Sequence, residues 1–258
     1  MIRLENVSYG YGDVGVLHGV SVEFAAGAFT ALIGPNGAGK STMLRIASGE
    51  LLPDSGMALF DGKSMREWKP RDLAVRRAFL PQSSLLDFSF SVEEVAMMGR
   101  APHVRGSETD DDVGIVRSAL EMSDMVSFSA RDYTALSGGE RQRAQLARVL
   151  AQVWARKGCA LLLDEPVASL DPSHRHRTLA IAREWARAGA CVVAILHDMN
   201  LALAYADKVV VLQRGKIVAD GPVREVLEPE LIGNVFGVRA EVLQNADGGR
   251  FIATSPLD

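Results

Sequence analysis

An α/β fold, with a largely parallel sheet and a helical insert, is what three observations in this 258-residue sequence predict. Apolar runs at Phe29–Ile33, Ala160–Leu163 and Cys191–Leu196 alternate with helical stretches, as strands covered by helices on both sides do. The first run leads through a glycine-rich segment into a helix. Between residues 83 and 151 the alternation lapses and helical patterns take over.

Each element follows from local chemistry. Ile2 to Phe24 carries short alternating apolar stretches, including Val20, Val22 and Phe24, the pattern of half-buried strands. Tyr9-Gly10-Tyr11-Gly12-Asp13 between them reads as a turn, and either tyrosine suits stacking on a base or packing at a sheet edge. Met43 to Ser48 is helical, with Gly49 as a left-handed C-cap. Leu52-Pro53-Asp54-Ser55-Gly56 is a turn, Met57–Phe60 a strand, and Asp61-Gly62 another turn. Ala78 to Gln82 reads as a short strand ending at Gln82. In the insert, Ser91-Val92-Glu93-Glu94 is a capping box, 107–112 an acidic loop, and Val113 to Met122 a helix. Asp171-Pro172 supplies an N-cap and a proline at the first helical position, with Gly189 at the far end. Lys208–Leu212 and Ile217–Ala219 form a hairpin across Gln213–Lys216. Two lobes are expected, an α/β core from 1–82 with 152–258 and a helical lobe from 83–151.

Bulk properties narrow the class. A net charge of −4 argues against a dedicated nucleic-acid binder, and no nucleic-acid partner is expected. No apolar run approaches the ~18 residues that would cross a bilayer, and no secretory leader is visible. Cys159 and Cys191 each begin an aliphatic run, which suggests buried thiols in a reducing compartment rather than a disulfide or a metal site. A soluble intracellular protein is the expectation.

The chemistry concentrates in three stretches. Gly34-Pro35-Asn36-Gly37-Ala38-Gly39-Lys40-Ser41-Thr42 fits GxxxxGK[ST] between a strand and a helix. Glycines let the loop curl so that its N–H groups and the helix N-terminus face an anion. Lys40 can then meet the β- and γ-phosphates of ATP, and Ser41 can ligate Mg²⁺. Leu161-Leu162-Leu163-Asp164-Glu165 ends an apolar strand in two carboxylates, where open α/β sheets bind ligands. Asp164 can hold Mg²⁺ through water, and Glu165 can accept a proton from an attacking water. In Leu136-Ser137-Gly138-Gly139-Glu140-Arg141-Gln142, Ser137 and Glu140 form a capping box. Two glycines in the first turn of the helix it opens leave bare N–H groups facing outward, a second anion site.

LSGGERQ resembles the signature of ABC ATPases, and the other motifs match that family over almost the whole length. The resemblance implies a P-loop NTPase core with a mostly parallel sheet, an N-terminal antiparallel β-subdomain and an inserted α-helical subdomain. It implies ATP and Mg²⁺, and a homodimer in which the signature of one copy covers the γ-phosphate held by the other. By the same match, Gln82 is the glutamine that senses Mg²⁺ and the membrane partner. Ser169-Leu170-Asp171 is the loop that communicates across the dimer, His197 is the switch histidine at the γ-phosphate, and Tyr11 rather than Tyr9 is the aromatic on adenine. Val167 departs from the hydroxyl residue usual after Glu-Pro, which puts local hydrogen bonding near Asp171 in doubt.

Leu196-His197-Asp198-Met199-Asn200-Leu201 is similar to the importers of iron–siderophores, cobalamin and heme. The heme branch is suggested by Gln82-Ser83-Ser84 running into Phe90-Ser91-Val92-Glu93-Glu94-Val95, by Arg100-Ala101-Pro102-His103, by Ala151-Gln152-Val153-Trp154, and by Gly237-Val238-Arg239-Ala240-Glu241-Val242. The class implies two integral membrane permease subunits, an external heme-binding protein acting indirectly, and a peripheral place on the cytoplasmic face of the bacterial inner membrane. A groove near Gln82 would dock the permeases, with Phe88 and Phe90 exposed there or packed in the core. His103 is expected to be an exposed loop histidine rather than a heme ligand. The alternatives are siderophore or cobalamin import, a soluble ABC ATPase of DNA maintenance, and a P-loop small-molecule kinase. The DNA-maintenance reading lacks its long coiled coil here, and the kinase would lack LSGGE.

Overall fold

The computed structural model describes residues 1–82, 88–154, 156–244 and 248–257. The chain runs β1 (Ile2–Tyr11), β2 (Val14–Phe24), β3 (Phe29–Ile33), α1 (Lys40–Ser48), β4 (Ser55–Phe60), β5 (Lys63–Ser64), α2 (Pro70–Ala74) and β6 (Arg77–Leu80). Three helices follow: α3 (Val92–Met97), α4 (Asp110–Met122) and α5 (Gly138–Gln152). The chain then returns to strands with β7 (Ala160–Leu163), α6 (Pro172–Arg187), β8 (Cys191–Ile195), α7 (Met199–Tyr205), β9 (Lys208–Gln213) and β10 (Lys216–Pro222). It closes with α8 (Val223–Val226), α9 (Pro229–Phe236), β11 (Val238–Gln244) and β12 (Arg250–Pro256).

The central sheet has the order β10-β9-β3-β8-β7-β6, parallel from β9 to β6, with β10 antiparallel at the edge. Its strands are apolar on both faces because both faces are covered. Phe29, Ala31 and Ile33 of β3 join one buried cluster with Leu161, Leu163, Val192 and Ala194, under α5 and α6. Leu32, Leu162, Val193 and Ile195 point the other way, into a second cluster with Met43, Leu44, Ile2 and Phe24. An antiparallel sheet, β2-β1-β4-β5, covers that second face together with α1. The fold is therefore α/β, with the layers and the antiparallel N-terminal sheet that the motifs imply.

Several boundaries differ from the sequence expectation. β1 continues through Tyr11, so Tyr9-Gly10-Tyr11 is strand and the turn shrinks to Gly12-Asp13. Pairing with Leu17, Gly15 and Val14 of β2, with register shifts, holds this segment extended where its glycines alone suggest a loop. Ser55 and Gly56 begin β4 rather than ending a turn, because Ser55 pairs with Ser8. β6 stops at Leu80, two residues before Gln82. β11 and β12 form a hairpin that no local pattern announced. Ser83, Ser84 and residues 245–247 lie outside the described residues, so part of the stretches quoted above has no structural account.

Where capping chemistry was legible, the structure follows it. Gly49 caps α1 at φ +77, Asp171 accepts from the His174 N–H at the start of α6, and the Ser91 and Ser137 capping boxes are both formed. Both cysteines are buried free thiols, and burial pushes Cys191 up to about 12. Val167 is packed into the core. The turn after Glu165 closes on backbone bonds instead, Ala168 N–H to Glu165 O and Leu170 N–H to Val167 O. His103 is half-buried rather than exposed, with Nε2 2.7 Å from the Gln152 carbonyl oxygen, and burial lowers its pKa.

The insert is fastened to the core at its last helix. Gln152 Nε2 donates to the Ala74 carbonyl at the end of α2 and to the Arg77 carbonyl at the start of β6. Arg100 is buried, paired with Asp112 at 2.9 Å and donating to the Ala151 carbonyl. Between them Gly99 lies so close to α5 that a Cβ would stand 2.1 Å from the Arg148 carbonyl oxygen. That contact is with backbone and cannot be relieved by a rotamer change. Gly99→Ala should therefore lower stability by about 1–3 kcal/mol or more, as overpacking does. An unchanged denaturant midpoint would show that the insert can shift away from α5 without cost.

The C-terminal hairpin is held by α7. Asn200 Nδ2 donates to the Ile252 carbonyl at 3.1 Å, and the Ile252 N–H donates to Asn200 Oδ1 at 2.7 Å, so one side-chain amide imitates a strand partner. Ile252 is buried in the core beside it.

Candidate functional site

The C-terminal ends of β3, β6, β7 and β8 lie side by side and bring four sequence-distant segments together. From β3 comes the loop of residues 34–39, from β6 Gln82, from β7 Asp164 and Glu165, and from β8 His197. A cleft of about 660 Å³ opens between them. Asn36 to Thr42 line it, with Gln82, Glu165, His197 and Val16.

The loop owes its shape to glycine. Gly34, Gly37 and Gly39 have φ of +149, +76 and +100, and a Cβ on Gly34 would stand 2.0 Å from the Leu212 carbonyl oxygen. Gly39 precedes α1 with no side-chain cap, so the first N–H groups of that helix remain available to an anion. Lys40 is nearly buried. Its Nζ donates to the Gly34 and Pro35 carbonyls at 2.8 and 2.9 Å, which stretches the side chain back over the loop. Burial lowers the Lys40 pKa, opposed by the carboxylates of Glu165 and Asp164.

Opposite the loop, Ser41 Oγ donates to Asp164 Oδ1 at 3.2 Å. Burial raises the Asp164 carboxyl above the usual aspartate range, as does Glu165; the Ser41 hydroxyl and Lys40 pull the other way. Glu165 has φ +49, a left-handed conformation that a glutamate adopts only under constraint. That backbone turns its carboxylate toward His197, whose Nε2 lies 2.6 Å from Glu165 Oε1. The contact between these two residues was not readable from sequence, where they stand on separate strands.

Oxygen donors of this kind suit Mg²⁺. The Ser41 hydroxyl, the Asp164 carboxylate and the Gln82 side-chain amide all belong to this end of the sheet, and an added cation would relieve the raised Asp164 carboxyl. Among the described residues no group of three or more His, Cys, Asp or Glu could hold a metal.

Other expected site residues lie apart from this cleft. Ser137, Gly138 and Gly139 are not among the residues lining it. They open α5, where the Ser137 N–H donates to Glu140 Oε2 at 2.7 Å and Ser137 Oγ accepts from the Glu140 N–H. Those hydrogen bonds hold the Glu140 carboxyl below its usual range. The start of α5 abuts the segment before α6, since a Cβ on Gly139 would stand 3.0 Å from the Ser169 carbonyl oxygen. Asp171 accepts from the His174 backbone and ring and from Ser173, which drives its pKa strongly down. Tyr11 is about half exposed, with its ring edge-on to Tyr9 and its hydroxyl 3.4 Å from Arg45. Tyr9, on the same strand β1, is packed against the core cluster.

Comparison with known proteins places this arrangement. The sequence profile of the ABC transporter family matches residues 17–168. The hemin import ATP-binding protein HmuV of Pseudomonas aeruginosa is 47% identical over 250 residues, covering 96% of this chain and 97% of that one. Its namesake in Gloeobacter violaceus is 47% identical over 233 residues, covering 89% of this chain and 85% of that one. Among solved structures, the dimeric bacterial ABC transporter cassette MJ0796 superposes with a TM-score of 0.76 at 25% identity, covering 87% of this chain and 99% of that one. The ADP conformation of the cassette MJ1267 gives 0.76 at 25% identity over 92% and 98%. A strand-loop-helix phosphate cradle, two carboxylates beyond β7, a histidine beyond β8 and a glycine-opened α5 thus occur together in a chain that belongs to the ABC transporter family.

Proposed function

We propose that this chain is the ATP-hydrolysing subunit of an importer that brings heme into the cell, working as a head-to-tail pair on two membrane permeases. The observation that carries the ATPase reading is the convergence of Lys40, Ser41, Gln82, Glu165 and His197 on one cleft. Identity of 43–47% along nearly the whole chain to proteins named for hemin import carries the cargo reading.

Each residue has a task that its surroundings support. The loop from Gly34 through Pro35, Asn36, Gly37 and Ala38 to Gly39 wraps the phosphates with its backbone N–H groups, Pro35 excepted because it has none, and Lys40 places a cation beside them. Ser41 and Gln82, with Asp164 through water, would hold Mg²⁺, and Thr42 lines the same cleft beside the nucleotide. Mg²⁺, when bound, neutralises charge on the phosphate oxygens. Glu165 takes the proton from the attacking water, and His197, in contact with that carboxylate, holds it in place and faces the γ-phosphate. Tyr11, the more exposed tyrosine, is the platform for adenine.

The second anion site, at Ser137, Gly138 and Gly139, does not line this cleft, so a second copy must bring its own α5 to complete it, with Asp171 close to the seam. Bound ATP is then shared by two chains through its γ-phosphate, and hydrolysis to ADP and inorganic phosphate replaces that bridge with charge repulsion, which lets the pair separate.

The permeases meet the insert. Phe90, Met97, Met98 and Val104 line a cleft of about 680 Å³ with Glu93 and Glu94 beside them. Phe88 stands well out of the surface near it, edge-on to Phe90 at 6.5 Å. An amphipathic segment with basic residues on its polar face suits that lining. No helix among the described residues is long and apolar enough to cross a membrane, so the cytoplasmic position at the bacterial inner membrane depends on those permeases.

The decisive experiment is ATPase activity of the complex reconstituted with its permeases in lipid. A heme-loaded external binding protein should stimulate turnover several-fold, while siderophore- and cobalamin-loaded counterparts should not. Equal stimulation by all three, or by the cobalamin carrier alone, would overturn heme as cargo and leave the ATPase reading intact.

A further inference from the structure

Away from the cleft, three basic side chains gather on one carboxylate. Asp124, just beyond α4, has a left-handed backbone at φ +60. Its Oδ2 lies 3.1 Å from Arg143 Nη1 and 3.5 Å from His174 Nε2, and its Oδ1 lies 3.4 Å from Arg177 Nη1. Arg143 also donates to the Asp124 carbonyl at 2.8 Å, and Arg177 to the Glu121 carbonyl at 3.2 Å. Arg143 belongs to α5, the helix capped by Ser137, and is almost fully buried. His174 and Arg177 belong to α6, the helix capped by Asp171.

His174 extends the connection. Its Nδ1 lies 2.8 Å from Asp171 Oδ2, so its two ring nitrogens face two carboxylates from different segments. A continuous polar path thus runs from the cap of α6, through His174 and Asp124, to Arg143 in α5. The same two helices already touch at their starts, where Gly139 lies against the Ser169 carbonyl. Two points of attachment fix an orientation where one would leave a pivot. A half-exposed carboxylate in one ion pair would contribute little. A carboxylate shared by two guanidinium groups, one of them buried, and a histidine ring is a network, and networks couple their members.

We propose that Asp124 is a positioning residue for ATP hydrolysis: by holding α5 and α6 through Arg143, His174 and Arg177, it makes Ser137–Gly139 and Ser169–Asp171 meet the second copy as one rigid unit. This assignment rests on the two-copy reading above. Asp124 does not line the phosphate cleft, so removing it should leave the binding of ATP to a single chain untouched and weaken the step in which two chains close.

The full chain with Asp124→Gly tests this, with Asp124→Asn as a second variant. Glycine and asparagine both accept a left-handed backbone, so neither change strains the chain, and asparagine keeps an acceptor while losing the charge. ATP affinity, measured with a fluorescent ATP analogue, should stay within about twofold of the parent, whereas kcat should fall at least about fivefold for Asp124→Gly. In a Glu165→Gln background, ATP-driven pairing read by light scattering should weaken correspondingly, with Asp124→Asn intermediate. Unchanged kcat and pairing in Asp124→Gly would overturn the assignment, as would a fall in ATP affinity that keeps step with kcat. If the Glu165→Gln parent itself fails to pair with ATP, the two-copy reading is overturned and this assignment with it.

Discussion

Glu165→Gln should still bind ATP and almost cease to hydrolyse it. The amide keeps the length of the side chain and an oxygen for the 2.6 Å contact with His197, so the geometry of the cleft survives. What it loses is the ability to accept a proton, and removal of a positioned general base costs roughly 10²–10⁴-fold in rate. In the proposed two-copy cycle hydrolysis separates the chains, so the variant should accumulate as an ATP-bound pair, detectable by size-exclusion chromatography with light scattering. The strained backbone at this position gives the experiment a control. Asparagine tolerates φ near +49 better than glutamate does, so Glu165→Asn should be equally inactive while no less stable. Hydrolysis at the parent rate by the glutamine variant would remove Glu165 from its role.

Lys40→Met should abolish the reaction at an earlier stage, by preventing ATP from binding well. Methionine fills nearly the same buried space, and the lost interactions are those of the ammonium. With Gly34 and Pro35 carbonyls aligning that ammonium, its charge-assisted bonds to phosphate contribute about 1.5–3 kcal/mol, roughly ten- to a hundredfold or more in affinity. Titration with a fluorescent ATP analogue separates the two variants. The glutamine variant at 165 should bind like the parent, and the methionine variant at 40 should not. Parent-like affinity in Lys40→Met would mean that the loop N–H groups alone hold the phosphates.

The parts of this molecule legible in its sequence are those whose chemistry is local. A strand, a glycine turn and a lysine six residues after Gly34 announce a phosphate cradle because every participant is within one segment. Ser137 and Glu140 announce a helix start for the same reason, and so does Asp171 before Pro172. What sequence withheld depends on segments that meet only in the fold. The contact of Glu165 with His197 joins the ends of adjacent strands β7 and β8, and nothing near either residue reveals it. Asp124 reads as one more acidic residue after a helix until α5 and α6 arrive beside it. The residues around Tyr9 and Tyr11 left both open to stacking or packing, and only the family match favoured Tyr11; in the fold β1 continues through both, with Tyr9 packed on the core and Tyr11 left open. His103 resembled a free loop side chain because its acceptor, Gln152, is supplied by a helix far along the chain.

The clasp between Asn200 and Ile252 bears on how this protein is handled at the bench. Only three positions separate Asn200 from His197, so the terminal hairpin is fastened to the helix that anchors the histidine. An affinity handle appended beyond Pro256 would leave that fastening alone. Trimming the chain back past Arg250 to improve crystals or expression would unlatch the helix next to His197, and such a shortened protein would be a poor stand-in for the intact enzyme.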